Sequence, residues 1–226
     1  MSKKIFITGT GTDVGKTYIS GLIVKKLKEG GKNAAYYKAA MSGNERRADG
    51  SLIPGDGLFV KRMAEISQPL EDMCPYVYET AVSPHLASRL EGNPVKMEVV
   101  RERFLKVCSR YDYITMEGSG GICCPICYDE AKIQLEDVIR QLELASIIVA
   151  DAGLGTINSV VLTAEYMRGR KLPVKGIIFN HFHPGNVMEE DNLHMCEDMT
   201  GLPVLACVQD GGELHMDLEA LTSLYE

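Results

Sequence analysis

The sequence predicts an α/β fold, a single domain over residues 1–226 whose mostly parallel central sheet carries helices on both faces. Three observations support it. Short apolar runs alternate with segments of helical spacing from end to end, the pattern of strands joined by crossover helices. No linker, internal repeat or low-complexity tract divides the chain. Glycine-rich loops follow several of the strands, at the sheet edge where ligands of such folds bind. With 45% hydrophobic and 24% charged residues among 226, the composition is that of a globular protein with material for a sizeable core. Disordered, coiled-coil and collagen-like classes are excluded.

Residues 4–8 form an apolar run that breaks into glycines, a buried strand entering a loop. Ile19, Leu22, Ile23 and Leu27 then fall at helical spacing, and Gly30-Gly31 stops that helix. Residues 34–37 read as the second strand, 41–57 as a loop and 58–66 as a helix. A better helix covers 99–111, with Val100, Phe104 and Val107-Cys108 on one face. Strands follow at 113–116, 145–150, 174–179 and 204–208, with helices near 158–168 and 187–199.

Lys and Arg number 24 against 31 Asp and Glu, a net charge of −7, so a basic nucleic-acid face is not expected. The longest apolar stretch, 144–150, is far below the roughly 20 residues of a membrane span. The apolar part of the amino terminus is too short for an export signal, so a cytoplasmic protein is expected. Its seven cysteines, an odd number, then read as reduced thiols.

The strongest motif is Gly9-Thr10-Gly11-Thr12-Asp13-Val14-Gly15-Lys16-Thr17, between a strand and a helix. Small residues let backbone wrap close to phosphates, with N–H groups pointing inward at a helix start. Lys16 can place its charge on the β- and γ-phosphates, and the Thr17 hydroxyl can ligate Mg²⁺. Five residues separate Gly9 from Gly15 where the usual spacing has four, but the flanking elements are those the mechanism needs. This makes the fold P-loop NTPase-like. Glu117, ending an apolar strand ahead of Gly118-Ser119-Gly120-Gly121, suits a Mg²⁺ ligand beside such a loop; the alternative is a surface turn carboxylate. Asp56, in Pro54-Gly55-Asp56-Gly57, is by itself either a third ligand or an Asp in a turn. Lys38, just past the second strand, either faces the phosphates or is solvated.

Together these residues resemble the dethiobiotin synthetase family. The likeness runs through residues 8–17, Tyr37-Lys38 to Ser42-Gly43, Ser83-Pro84-His85, Glu117 to Gly121 and Gly155-Thr156-Ile157-Asn158, in the family's order over nearly the whole chain. The five-residue gap in the phosphate loop is a family feature. The resemblance implies a Mg²⁺- and ATP-dependent cyclo-ligase of biotin synthesis that joins CO₂ to 7,8-diaminopelargonic acid as a cyclic urea. Thr12, Asp13, Val14, Gly15, Lys16 and Thr17 would hold the triphosphate, and Asp56, Glu117, Gly118, Ser119 and Gly120 would complete the ATP site. Thr17, Asp56 and Glu117 would hold Mg²⁺. Lys16 and Lys38 would be catalytic, Ser42 would lie near the diamine, and Asn180 would read adenine. Gly155, Thr156, Ile157 and Asn158 would grip the substrate carboxylate across a homodimer interface. Gln209-Asp210-Gly211-Gly212 replaces the proline-containing segment that the family places near adenine, so loose base selectivity is expected.

Two rival readings share the phosphate loop. An amidation domain of the cobyrinate synthetase type would normally carry a glutaminase domain, for which 226 residues leave no room. A partner-binding switch NTPase would be expected to show an amphipathic terminal helix or a basic face. Cys124-Pro125-Ile126-Cys127, with Cys123 adjacent, is half a zinc site without its other half, and reads as structural thiols. His181-Phe182-His183 reads as a solvated loop, and Met188-Glu189-Glu190-Asp191 as a solvated helix face or first turn.

Overall fold

The structure, a computed structural model, describes residues 2–129 and 131–226. In chain order its first half contains β1 (Lys3–Gly9), α1 (Lys16–Glu29), β2 (Ala34–Lys38), β3 (Ala40–Met41), α2 (Gly55–Ala64), β4 (Tyr76–Val77), α3 (Pro84–Leu90), α4 (Met97–Cys108) and β5 (Tyr113–Glu117). The second half adds β6 (Pro125–Tyr128), β7 (Lys132–Gln134), α5 (Leu135–Leu142), β8 (Ser146–Asp151), α6 (Thr156–Gly169), β9 (Val174–Asn180), α7 (Val187–Thr200), β10 (Val204–Cys207) and α8 (Leu218–Ser223).

Among the described residues the central sheet has six strands, in the order β10-β9-β8-β1-β5-β2, and every neighbouring pair is parallel. Alternation along β1 shows how its layers arise. Ile5 and Ile7 point into a core shared with Ile19, Ile23 and Leu27 of α1 and Leu221 of α8. Phe6 points the other way, into a core shared with Phe104 of α4, Val138 of α5 and Val160 of α6. Because β1 is flanked by β5 and β8, the loop leaving β1 has strand ends on both sides. That is where the chemistry gathers.

The main-sheet strands and α1, α4, α6 and α7 lie where the sequence predicts them, within a few residues. Several elements differ. The segment 41–57 is not wholly loop, since Ala40–Met41 pairs in parallel with Tyr76–Val77 and α2 begins at Gly55. Asp56 therefore sits in a helical first turn rather than a free loop. A Cβ on Gly57 would come within 3.2 Å of the Met73 sulfur, so tight packing supports a helix start of low intrinsic propensity. The β6–β7 hairpin and α3, α5 and α8 were not foreseen. Helix α5 opens on a capping box, with the Gln134 N–H donating to Asp137 Oδ2 at 2.8 Å.

Candidate active site at the carboxyl edge of the sheet

The phosphate loop is shaped by glycine where side chains have no room. Gly15 has φ 89°, and a Cβ there would fall 2.1 Å from the Asn180 amide nitrogen. Asp13 also takes a left-handed conformation, with φ 60°. Helix α1 starts at Lys16 with no side-chain cap, leaving first-turn N–H groups for a ligand of negative charge. The Lys16 ammonium is buried and donates to the Gly11 carbonyl at 2.7 Å. Burial lowers its pKa; Glu117 opposes that shift and Lys38 adds to it.

Beside this loop, strand register assembles a charged cluster. Lys38 ends β2 directly opposite Glu117, which ends β5. The Lys38 ammonium donates at 2.6 Å to Glu117 Oε1 and at 2.6 Å to Asp56 Oδ2. The Thr17 hydroxyl donates to the same Glu117 Oε1 at 2.9 Å. Glu117 Oε2 accepts from the Tyr36 hydroxyl at 2.8 Å. Burial works against the Lys38 charge, but the carboxylates of Glu117 and Asp56 outweigh it and raise the pKa above the usual lysine value. Lys38 is therefore a fixed cation at neutral pH, not a solvated lysine, and Glu117 is no surface carboxylate.

Lys16, Thr17, Lys38, Asp56 and Glu117 line a cavity of about 880 Å³ together with Thr12, Asp13, Gly15, Ser42, Ser119 and Gly120. Ser83 and Pro84 also line it. Ser119 is fixed by donating to the Ala40 carbonyl at 3.0 Å. A Cβ on Gly118 would reach 2.8 Å from the Phe6 ring, so the position has no room for a side chain. The other sequence-selected residues lie elsewhere. Asn180, at the end of β9, donates to the Val14 carbonyl at 3.3 Å and so touches the phosphate loop from outside this cavity. Gly155 and Thr156 line a second cavity of about 260 Å³ with Thr10, Gly11 and Val14. Ile157 is half-buried in the first turn of α6, and Asn158 is exposed there.

His181 and His183 lie in a loop with side chains 40% and 59% exposed, as expected, and each faces a carboxylate: His181 Nδ1 lies 2.7 Å from Asp151 Oδ2, and His183 Nδ1 lies 3.1 Å from Glu189 Oε1. One expectation needs correction. Glu189 is accordingly buried, accepting also from the His183 N–H at 2.6 Å, so the acidic run is not uniformly solvated. The cysteines are all free, and Cys127 is buried in β6. Tyr36 escaped sequence reasoning. Its only signal is parity, since it shares a face of β2 with Lys38.

The donor set fits Mg²⁺. Thr17, Asp56 and Glu117 present hard oxygens, and Mg²⁺ is commonly held by one or two carboxylates, waters and substrate phosphates rather than by an all-protein cage. Among the described residues there is no group of three or more His, Cys, Asp or Glu side chains that could hold a metal.

A glycine-rich loop between β1 and α1, its lysine, and a strand-end carboxylate beside it define a P-loop nucleotide-binding protein. Residues 3–215 match a family model described as an AAA domain. The fold resembles a ParA family ATPase from Chlorobium tepidum (TM-score 0.58, 14% identity, 99% of this chain and 90% of that one). It also resembles a chain of the MinC:MinD cell division complex of Aquifex aeolicus (TM-score 0.57, 14% identity, 98% and 85%). Sequence carries the assignment further. The chain is 48% identical over 227 residues, 100% of both chains, to the ATP-dependent dethiobiotin synthetase of Brachyspira hyodysenteriae. It is 46% identical to that of Clostridium botulinum strain 657, over 100% of this chain and 99% of the relative. The chain belongs to the ATP-dependent dethiobiotin synthetase family.

Proposed function

We propose that this chain uses ATP and Mg²⁺ to join CO₂ to 7,8-diaminopelargonic acid and close the cyclic urea of dethiobiotin. The observation that carries the reading is the convergence of Thr17, Lys38, Asp56 and Glu117 beside the phosphate loop, in a chain matched end to end by dethiobiotin synthetases. An unprotonated amine adds to CO₂ and loses a proton to solvent, giving a carbamate. The carbamate oxygen attacks the γ-phosphorus, and the bond to the bridging oxygen breaks with release of ADP. The second amine attacks the carbonyl carbon of the resulting mixed anhydride, expels phosphate and loses its proton.

The protein's task is orientation and charge neutralisation. Lys16 and Lys38 supply positive charge to the transferring group. Lys38, held protonated by two carboxylates, is a fixed cation rather than a base. Ser42 is assigned to the diamine, and its place in the lining of the same cavity supports this. Mg²⁺ held by Thr17, Asp56 and Glu117 would neutralise phosphate charge.

The carboxylate tail is assigned to the α6 start of a second copy of the chain. Supporting this, Thr156 Oγ1 is buried there without a hydrogen-bond partner, and the segment does not line the larger cavity. Leu154 beside it is 91% exposed and Leu162 on α6 is 62% exposed, apolar surface suited to a homodimer contact. Asn180 is assigned to the base, with loose selectivity because Asp210 and its glycines form the facing loop. No helix among the described residues is long and apolar enough to cross a membrane, and we assign the enzyme to the cytoplasm.

The test is ATP consumption with bicarbonate, with and without the diamine, and mass analysis of the product. Consumption should require the diamine and yield a product in which one carbonyl replaces two hydrogens. ATP hydrolysis indifferent to the diamine would overturn the reading in favour of a switch NTPase. Asp56→Asn and Glu117→Gln should each raise the Mg²⁺ needed for half-maximal rate; an unchanged requirement in both would remove the shared metal site.

A further inference from the structure

Tyr36 is fully buried, and nothing in the chemistry above uses it. Its hydroxyl donates to Glu117 Oε2 at 2.8 Å, while the other oxygen of the same carboxylate accepts from Thr17 and Lys38. A phenol keeps its proton at neutral pH, so Tyr36 is the donor in this bond. A carboxylate with one oxygen pinned in this way cannot rotate about its terminal bond to exchange its two oxygens.

The phenol is itself anchored in an unusual manner. Strand β2 is the edge of the six-stranded sheet, so its outer backbone groups lack a strand neighbour. Gln68, fully buried, fills that place with one side chain. Its Oε1 accepts from the Tyr36 N–H at 2.8 Å and its Nε2 donates to the Tyr36 carbonyl at 2.9 Å. A buried glutamine that satisfies both groups of a single edge residue fixes that residue's height on the sheet.

We propose that Tyr36 is a positioning residue for the metal site: clamped by Gln68, its hydroxyl holds Glu117 Oε2 so that only Oε1 faces Thr17, Lys38 and the bound cation. The proposal rests on the reading of Glu117 as a Mg²⁺ ligand. Groups that orient a metal-binding carboxylate typically matter by about 10–100-fold in metal affinity.

The neighbouring tyrosine supplies the control. Tyr37 is equally buried, but it faces the opposite core, where its hydroxyl donates to the Val100 carbonyl at 2.9 Å. Tyr36→Phe and Tyr37→Phe each delete one buried oxygen from the same strand. The probe is Mn²⁺ binding to the full chain in the presence of ADP, read by the loss of the free-ion electron paramagnetic resonance signal, with metal-free melting temperature as the check on folding. We expect Y36F to weaken Mn²⁺ binding by roughly tenfold, and to raise the Mg²⁺ requirement of turnover while leaving kcat at saturating Mg²⁺ close to that of the parent. Y37F should lower the melting temperature and leave Mn²⁺ affinity alone. Equal Mn²⁺ affinity in Y36F and the parent, with Glu117→Gln weakened, would overturn the positioning role and leave Glu117 as a ligand. Equal weakening in Y36F and Y37F would reduce both to structural effects and also overturn it. Unchanged affinity in Glu117→Gln would remove the metal reading and this inference with it.

Discussion

On one side of the phosphate loop Lys38 and Glu117 are 8% and 1% exposed and lie 2.6 Å apart. On the other, the side chains of His181, Asp151 and Asp210 are 40%, 49% and 64% exposed, with His181 2.7 Å from Asp151 and 4.0 Å from Asp210. Both clusters lie near strand ends, and the loop borders both, Asp151 lining one cavity with Thr10, Gly11 and Val14, yet their physics differs. In the buried cluster each charge is compensated by a neighbouring side chain, so no single member can be removed without stranding another. In the exposed cluster water does much of the compensating, and single changes are absorbed. The first side is complete within one chain. The second carries the unpartnered Thr156 hydroxyl and the exposed Leu154, and we read it as half of a site.

The largest expected effect separates the two lysines of the buried side. Lys16→Gln should abolish measurable turnover, a loss on the order of 3–4 kcal/mol at the transition state. It should leave the melting temperature unchanged or raised, because burial already disfavours the Lys16 charge. Lys38→Met should abolish turnover and also destabilise the fold by about 3 kcal/mol, since Glu117 is left buried without its cation. Thermal melting alongside ATP turnover checks both. If K38M melts like the parent, the cluster does not neutralise itself.

The same contrast explains what the sequence could reveal. The phosphate loop, Glu117 and the main-sheet strands are legible because each depends on residues close in sequence: glycines beside a lysine, an acid closing an apolar run. Lys38 and Asp56 were nameable, but their alternatives stayed open, because a lysine after a strand and an Asp among glycines carry no local sign of burial. What commits them is the pairing of β2 with β5 and the packing of Gly57 on Met73. Tyr36 and Gln68 were illegible for the same reason, being partners 32 residues apart joined through an edge strand. The carboxylate partner of His181 was illegible because Asp151, 30 residues away, comes beside it only once β8 and β9 pair. Helix α5 escaped through its brevity, eight residues between a hairpin and a strand.

A smaller, two-chain effect tests whether the exposed side is completed by a partner. Lys16→Gln disables the loop side of a site, and Asn158→Trp blocks the α6 start from an exposed position without disturbing the core. Each chain alone should be inactive. In mixed dimers one of the two sites inherits both intact halves, so random exchange should restore about one quarter of parental activity under two-fold symmetry. No recovery despite demonstrated exchange would show that each chain builds its site alone, and the two sides of the loop would then be one site.

The smallest effect is a pH dependence that belongs to the exposed side only. His183 has its pKa raised, first by its hydrogen bond to the Glu189 carboxylate and then by that group's charge. A group with a raised folded pKa contributes stability that is fully present below its unfolded value, here 6.5, and is lost as pH rises through the folded value. His183→Ala should therefore lower the melting temperature in mildly acidic buffer and have less effect in mildly alkaline buffer. Lys38 also has a raised pKa, but its ordinary value is already 10.5, so its contribution is constant across the same window. The melting deficit of K38M should accordingly be flat with pH where that of H183A shrinks. Both variants are compared with the parent by calorimetry in a single buffer series. A deficit for H183A that grows with pH would mean that Glu189 is not what holds the imidazolium. The difference between a buried, self-compensated cluster and a surface pair would then have to rest on exposure alone.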